Sequence, residues 1–201
     1  MSPVRAGVAI AGLAAALALA LVARAMRPRP ALPVYGHLPE FHLVDQRGAP
    51  YASGAMLGQV SVVDFVFTRC TASCPRLTGH MAELQAGLER KKSGARLVSF
   101  SVDPEHDTPP VLSAYAAHAH ADAARWTFLT GPADDVSRAV VLGFKVAAVK
   151  VAKGADDYDV THGDWFVLVD RKGDVRGYYP MDDPGELDVV LRDALRLERE
   201  R

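Results

Sequence analysis

The chain has 201 residues, of which 49% are hydrophobic and 23% charged, and its formal net charge is -1. This composition fits one globular domain and excludes an intrinsically disordered chain. Residues 1–30 hold four arginines and no acid, so the remainder has 19 basic and 24 acidic residues and a net charge of -5. We expect no nucleic-acid partner for such a mildly acidic domain.

The N-terminal segment is a candidate membrane anchor. Ala6 to Ala23 is a run of 18 residues without a charged or polar side chain, which matches the shortest transmembrane helices. We interpret residues 1–26 as a signal-anchor or transmembrane segment, with a cleaved signal peptide as the alternative. Both readings place the globular domain outside the cytosol, and we predict a single-pass protein of a bacterial inner membrane with the globular domain in the periplasm. Three arginines after the run oppose this orientation, but large downstream domains are often translocated regardless of flanking charge.

A proline-rich linker separates this segment from the folded domain. Residues 27–39 contain four prolines, which favour an extended, semi-rigid spacer. We therefore predict that the globular domain spans residues 40–201.

Strand and helix patterns alternate along the domain. Runs rich in β-branched and aromatic residues predict strands at 40–48, Gln59–Phe67, 95–103 and 126–131, and a strand pair within 164–180. Periodic apolar positions and caps predict helices at Pro75–Lys91, 108–122, 132–143 and 184–201. Residues 144–162 fit a hairpin-like excursion. This order predicts an α/β fold, a thioredoxin-like sandwich with a central mixed β-sheet, plus the N-terminal anchor helix.

The two cysteines lie where the first central strand leads into its helix. Pro75 suits the first helical position, which puts Cys74 at the helix start, where the dipole favours a thiolate. Cys70 is four residues earlier, so the two sulfurs can close a disulfide or hold one ion. Thiolates select soft cations, above all Cu(I), and a third ligand is expected to be an imidazole or a thioether.

His162 is the candidate third ligand. It lies just before a predicted core strand, and in a thioredoxin-like sheet the loop entering that strand faces the cysteine loop. The alternative is a loop-capping or partly buried imidazole. The other six histidines are distributed over the linker, the first strand, two helices and one strand end: His37, His42, His80, His106, His118 and His120.

The stretch "DPEHDTP", residues 103–109, follows the second buried strand. Its acidic residues could line the site or dock a partner. The alternative is a turn and helix cap, in which Asp107 or Thr108 precedes Pro109 and Pro110. We predict the cap, since these residue types are typical of helix starts.

Three motifs together resemble the SCO/SenC family, thioredoxin-like copper proteins involved in assembling the copper site of cytochrome c oxidase. They are "FTRCTASCP", "SVDPEHDTP" and "DYDVTHGDWFVLVDRKGDVRGYY", in this order. The resemblance implies that Cys70, Cys74 and His162 are metal ligands for a copper ion, Cu(I) or Cu(II). It also implies two partners, the copper-bearing oxidase subunit and a copper donor chaperone.

Two positions beside these ligands depart from the family pattern. Thr71 stands where the family often has proline, and Thr161 stands where it often has aspartate. The second difference removes a charge next to a predicted ligand, which alters metal affinity, redox behaviour or partner docking.

The sequence leaves three functions for the cysteine pair. We predict a copper metallochaperone for the oxidase. The alternative is a periplasmic thiol–disulfide oxidoreductase, in which Cys70 and Cys74 are the redox-active pair and reduce cysteines of an apo-oxidase or another target. A purely structural disulfide is disfavoured because so short a loop restrains the unfolded chain little. Cysteine spacing alone does not separate metal from redox use, whereas a third ligand at His162 does.

Overall fold

The structure is a computed structural model. It describes residues 30–71, 73–152, 158–183 and 185–200 together with Leu19, and for 148–152 and 158–162 it describes the backbone alone. Two units divide the chain, Met1–Leu32 and Pro33–Arg201. The predicted anchor at 6–23 lies outside the described residues apart from Leu19. Within the described ranges, no helix is long and apolar enough to cross a bilayer.

A mixed β-sheet forms the centre of the second unit. The described strands are β1 (Gly36–His37), β2 (His42–Asp45), β3 (Pro50–Ala52), β4 (Ser61–Val66), β5 (Arg96–Ser101), β6 (Trp126–Thr130), β7 (Ala148–Ala152), β8 (Tyr158–His162), β9 (Trp165–Val169) and β10 (Asp174–Pro180). Eight of them form the sheet in the order β1-β10-β9-β4-β5-β6-β2-β3. β4, β5 and β6 are parallel, and β9 runs antiparallel to β4. β7 and β8 pair separately as an antiparallel hairpin.

Helices cover the sheet. They are α1 (Cys74–Arg90), α2 (Pro109–His118), α3 (Ala133–Ser137), which continues into a π-helical turn at Arg138–Gly143, and α4 (Glu186–Leu197). α1 and α4 pack against each other and both contact β4, while α2 packs on β6. A hydrogen bond of 2.7 Å between the hydroxyls of Thr78 and Tyr115 joins α1 to α2. Two helices, α2 and α4, therefore contact α1.

Successive side chains of β4 point to opposite faces of the sheet. Phe65 lies in an aromatic cluster with Phe100 and Phe144, whose rings lie 5.1 to 6.3 Å apart between centroids. Asp64 points to the other face and is hydrogen-bonded to Ser99. All six residues of β4 are buried, as expected for a central strand covered on both sides.

Most of the predicted elements are confirmed. The predicted α/β architecture with a central mixed sheet is present, and residues 144–162 contain the expected hairpin, β7 and β8. The predicted apolar face of α1 is buried at all four positions, Leu77, Met81, Leu84 and Leu88.

The structure adds a strand inside the predicted linker. Gly36 and His37 form β1 and pair with β10. The N–H groups of Tyr35 and Leu38 donate to carbonyls of the same hairpin, those of Val175 and Gly173. Residues 34–38 lie between Pro33 and Pro39 and keep their N–H groups, so they can join a sheet edge.

Candidate metal centre

The cysteine loop connects the carboxyl end of β4 to the first turn of α1. Cys74 is the first residue of α1 and Pro75 the second, where the missing N–H of proline leaves no helical hydrogen bond unmade. The loop begins with a turn in which the N–H of Cys70 donates to the carbonyl of Phe67 at 3.1 Å. The sequence prediction for this loop and helix start is confirmed.

The two cysteines are neighbours. The N–H of Cys74 donates to Sγ of Cys70 at 3.4 Å, and the two side chains are also in hydrogen-bond contact. The structure holds both as thiols. Cys74 is fully buried, whereas Cys70 is partly exposed. The pair can therefore form a disulfide or hold a metal ion, and solvent reaches it from the side of Cys70.

Burial controls the chemistry of Cys74. It raises the pKa of this thiol strongly above its usual value, and the hydrogen bond with Cys70 raises it further. The buried carboxyl of Asp64 contributes in the same direction. Our expectation of a thiolate favoured by the helix dipole is therefore wrong for the metal-free protein. The dipole acts over about one turn, whereas burial removes the solvent that would stabilise the anion.

His162 is the last residue of β8, and it pairs with Ala148 of β7. Three residues later, at Trp165, the chain enters β9, which lies antiparallel beside β4. The beginning of β9 and the end of β4 therefore lie at the same edge of the sheet, the edge that carries the cysteine loop. The side chain of His162 lies outside the described part of the chain, so its role as a ligand stays a prediction.

Of the other histidines, His106 contacts the cysteine loop and His80 lies on the helix that begins at Cys74. His106 lies 3.5 Å from the hydroxyl of Thr68, measured from Nδ1 to Oγ1, and His80 lies on α1 with its ring against Phe166. The rest are exposed and occur at the sheet edge or on α2 and the turn after it: His37, His42, His118 and His120.

The predicted turn and helix cap after β5 is confirmed at Thr108, one of its two candidate cap residues, and not at Asp107. Thr108 occupies the cap position of α2, and no side-chain cap hydrogen bond is present there. The carboxylate of Asp107 instead accepts hydrogen bonds from Thr68, in the cysteine loop, and from Ser101 at the end of β5. β4 and β5 are parallel neighbours, so their carboxyl ends meet. Asp107 therefore bonds to the neighbouring cysteine loop and does not cap α2.

Sequence reasoning also missed Asp64, a carboxyl in the middle of β4. It is completely buried, Oδ1 accepts a hydrogen bond from Ser99, and Oδ2 has no partner among the described residues. Burial raises its pKa to about 7, although the bond from Ser99 acts in the opposite direction. The available signal was an acid inside "VVDFVF", an otherwise apolar strand.

Comparison with known proteins identifies relatives over nearly all of this domain. The SCO1/SenC family model matches residues 33–193. A SCO1 protein homolog of Bacillus subtilis (strain 168) is 34% identical over 155 residues, which are 77% of this chain and 79% of the relative.

Solved structures show the same fold. A SCO1/SenC family lipoprotein from Bacillus anthracis str. Ames superposes with a TM-score of 0.76 at 32% identity, covering 85% of this chain and 100% of that one. BsSco, a member of the Sco family of cytochrome c oxidase assembly proteins in which a disulfide switch was identified, gives 0.74 at 30% identity, covering 86% and 100%.

A copper-bound structure shares the fold at lower identity. ScoI of Bradyrhizobium japonicum with copper bound gives a TM-score of 0.68 at 24% identity, covering 82% of this chain and 99% of that one. With the family model spanning residues 33–193, the chain belongs to the SCO1/SenC family.

Proposed function

We propose that this protein is a copper metallochaperone that binds copper through Cys70, Cys74 and His162 and assists assembly of the copper site of cytochrome c oxidase. The observation that carries this proposal is the adjacency of the two thiols, with the N–H of Cys74 3.4 Å from Sγ of Cys70. The site lies at the sheet edge where β9 begins, just after His162.

The residues present suit copper better than harder metals. Two thiols from one loop provide soft sulfur ligands, which favour Cu(I), and an imidazole also suits Cu(II). Each thiol must lose its proton to bind, so uptake of copper releases protons from the site. Burial also screens Cys74 from water and leaves Cys70 as the accessible sulfur.

The relatives support this assignment. BsSco belongs to a family of cytochrome c oxidase assembly proteins, and a structure with the same fold holds copper. We therefore propose the copper-bearing oxidase subunit as acceptor and a copper donor chaperone as source. We further propose that residues 1–26 anchor the protein in the inner membrane with the domain in the periplasm, because the apolar run precedes a proline-rich spacer.

A second candidate function is thiol–disulfide exchange on an oxidase subunit or another target. The observation that favours it is the contact between the two thiols. A disulfide switch is described for BsSco. The two functions are compatible, since the same thiols must be reduced before they bind copper.

Copper content of the full-length protein tests the ligand set. Purified protein is reduced, loaded with Cu(I) or, in a parallel sample, with Cu(II), and separated from a competing chelator. We expect about one tightly bound copper for the wild type, and none for Cys70→Ser or Cys74→Ser. We expect His162→Ala to lose Cu(II) more readily than Cu(I). Its two remaining thiolates still hold Cu(I), but more weakly than the wild-type site does.

His118→Ala is the matched control for the histidine variant. His118 is exposed on α2, and its Nδ1 lies 3.3 Å from the carbonyl of Ala114. It should behave as wild type. Tight stoichiometric copper in either cysteine variant would refute the site assignment, and equal Cu(II) binding by His162→Ala and His118→Ala would remove His162 from it.

A further inference from the structure

A buried carboxylate links the cysteine loop to the loop after β5. Asp107 is 0% exposed, yet it lies in a loop. Oδ1 accepts the hydroxyl of Thr68 at 2.6 Å, and Oδ2 accepts the N–H of Thr68 at 3.1 Å. Thr68 is two residues before Cys70, so Asp107 holds the cysteine loop through both a main-chain and a side-chain donor.

The carboxylate is itself held in place from the sheet. The hydroxyl of Ser101, the last residue of β5, donates to Oδ2 of Asp107 at 2.7 Å. Nδ1 of His106 lies 3.2 Å from Oδ1 of Asp107. Asp107 is thus fixed to a central strand, and its remaining acceptor positions face the cysteine loop.

An ion pair ties the two loops together a second time. Nη2 of Arg69, the residue directly before Cys70, donates to Oδ2 of Asp103 at 2.8 Å. The Asp103 side chain is 0% exposed, and its own N–H is bonded to the hydroxyl of Ser101. Two consecutive residues before Cys70 are therefore bonded to buried carboxylates that share Ser101 as a neighbour.

By distance alone, the side chains of the loop after β5 could form a separate metal site. Asp103, His106 and Asp107 offer ligand atoms within 4.8 Å of one another. The oxygens of Asp107, however, already accept donors from Thr68 and Ser101, and Asp103 is paired with Arg69. Protein donors thus occupy these oxygens, and the contacts are those of a clamp on the cysteine loop.

We propose that Asp107 is a positioning residue for the dithiol: it fixes the loop before Cys70 so that the two sulfurs stay together before copper or an oxidant arrives. The proposal rests on the proposed function for its copper readout. Without the clamp, the loop from Phe67 to Cys70 has to be ordered at the moment of binding or oxidation. That cost lowers both the copper affinity and the tendency to form the disulfide.

The test compares two variants of the clamp with a control in the full-length protein. Asp107→Asn replaces one acceptor oxygen by an NH2 group, which cannot accept, and Thr68→Val removes only the hydroxyl bond and keeps the shape. Asp45→Asn is the control, because Asp45 is also a buried carboxylate that accepts backbone N–H groups, those of Arg47 and Ala49. It is the last residue of β2, a strand that β5 and β6 separate from β4 in the sheet.

The first readout is the dithiol–disulfide equilibrium against dithiothreitol, which needs no copper. The Cys70 and Cys74 thiols give two electrons and two protons to oxidised dithiothreitol, which becomes the reduced dithiol. Loss of one hydrogen bond from the clamp should lower the equilibrium constant for disulfide formation by about three- to tenfold. Asp45→Asn should leave this constant unchanged. The second readout is Cu(I) affinity by chelator competition, with a decrease of similar size.

Unfolding in urea separates positioning from general destabilisation. We expect Asp107→Asn and Asp45→Asn both to lower stability, but only Asp107→Asn and Thr68→Val to change the disulfide equilibrium. The proposal is overturned if both clamp variants keep that equilibrium within about twofold of wild type, or if Asp45→Asn changes it equally. A wild type that forms the disulfide but binds no copper would refute the proposed function and leave this comparison valid.

Discussion

Asp64 offers a stability test whose sign and size follow from its surroundings. The carboxyl is completely buried in β4, with Ser99 as donor to one oxygen and no partner for the other among the described residues. Burial raises its pKa to about 7 from an ordinary value of 3.8. Asp64→Asn keeps the shape and the polarity of the side chain but removes its ability to ionise.

The direction follows from proton linkage. Since its pKa is higher in the folded state, folded Asp64 keeps its proton at pH values where the unfolded chain has lost it. The wild type therefore loses stability as pH rises from about 4 to about 7, and the penalty is constant above that. The shift is about three pKa units, or about 4 kcal/mol, and about 3 kcal/mol of this falls between pH 5 and pH 8.

Urea unfolding of the reduced protein at pH 5 and pH 8 measures this effect. The free energy of unfolding of Asp64→Asn, relative to wild type, should rise by about 3 kcal/mol between these pH values. Asp45→Asn is the control of opposite sign: burial would raise the pKa of Asp45, but hydrogen bonds from Arg47 and Ala49 lower it overall. Its difference from wild type should be constant over this range. A constant difference for Asp64→Asn would refute a buried carboxyl that ionises near neutral pH.

Three further predictions concern transport, function and the core. A reporter active only outside the cytoplasm, fused after Arg201, should be active; activity of a cytoplasmic reporter instead would show that the arginines after the apolar run control orientation. In cells, His162→Ala should impair assembly of the oxidase copper site as severely as a Cys70→Ser, Cys74→Ser double variant, whereas normal assembly in the histidine variant would favour the thiol reductase. Phe144→Ala should lower stability by about 3–5 kcal/mol, because the buried ring contacts Phe65 and Phe100. At low temperature, where this variant is still folded, its copper stoichiometry should match that of the wild type. A loss of copper under these conditions would show that the metal site depends on packing at the opposite face of the sheet.

Local patterns in the sequence were sufficient for most of the fold. The β-branched run around Val62 predicted the central strand, and the spacing of Leu77, Met81, Leu84 and Leu88 predicted the buried face of α1. The cysteine loop was predicted because a strand, two cysteines and Pro75 form a recognisable junction. These patterns predict structure correctly because each depends only on residues that are close in sequence.

Features that depend on distant residues could not be predicted in the same way. β1 exists because β10 offers an edge to Gly36 and His37, more than 130 residues away in sequence. The cap was predicted at Asp107 or Thr108, and the hydrogen bonds of Asp107 were missed because nothing in "DPEHDTP" indicates that Thr68 lies opposite. The prediction of a thiolate at Cys74 failed for a similar reason, since the local dipole is visible in the sequence but the packing that buries the thiol is not.

The unequal exposure of the two cysteines suggests an order for either function. Cys74 is fully buried and Cys70 is partly exposed, so a partner, an oxidant or a copper donor meets Cys70 first. Transfer through an exposed first sulfur allows a mixed intermediate with the partner, and the second sulfur, already in contact, then completes the exchange. Copper would follow the same route, with Cys70 as first ligand and Cys74 closing the site. The clamp on Thr68 and Arg69 acts directly before the sulfur that makes this first contact. Loss of the clamp should therefore weaken both copper binding and disulfide formation, whichever function the cell uses more.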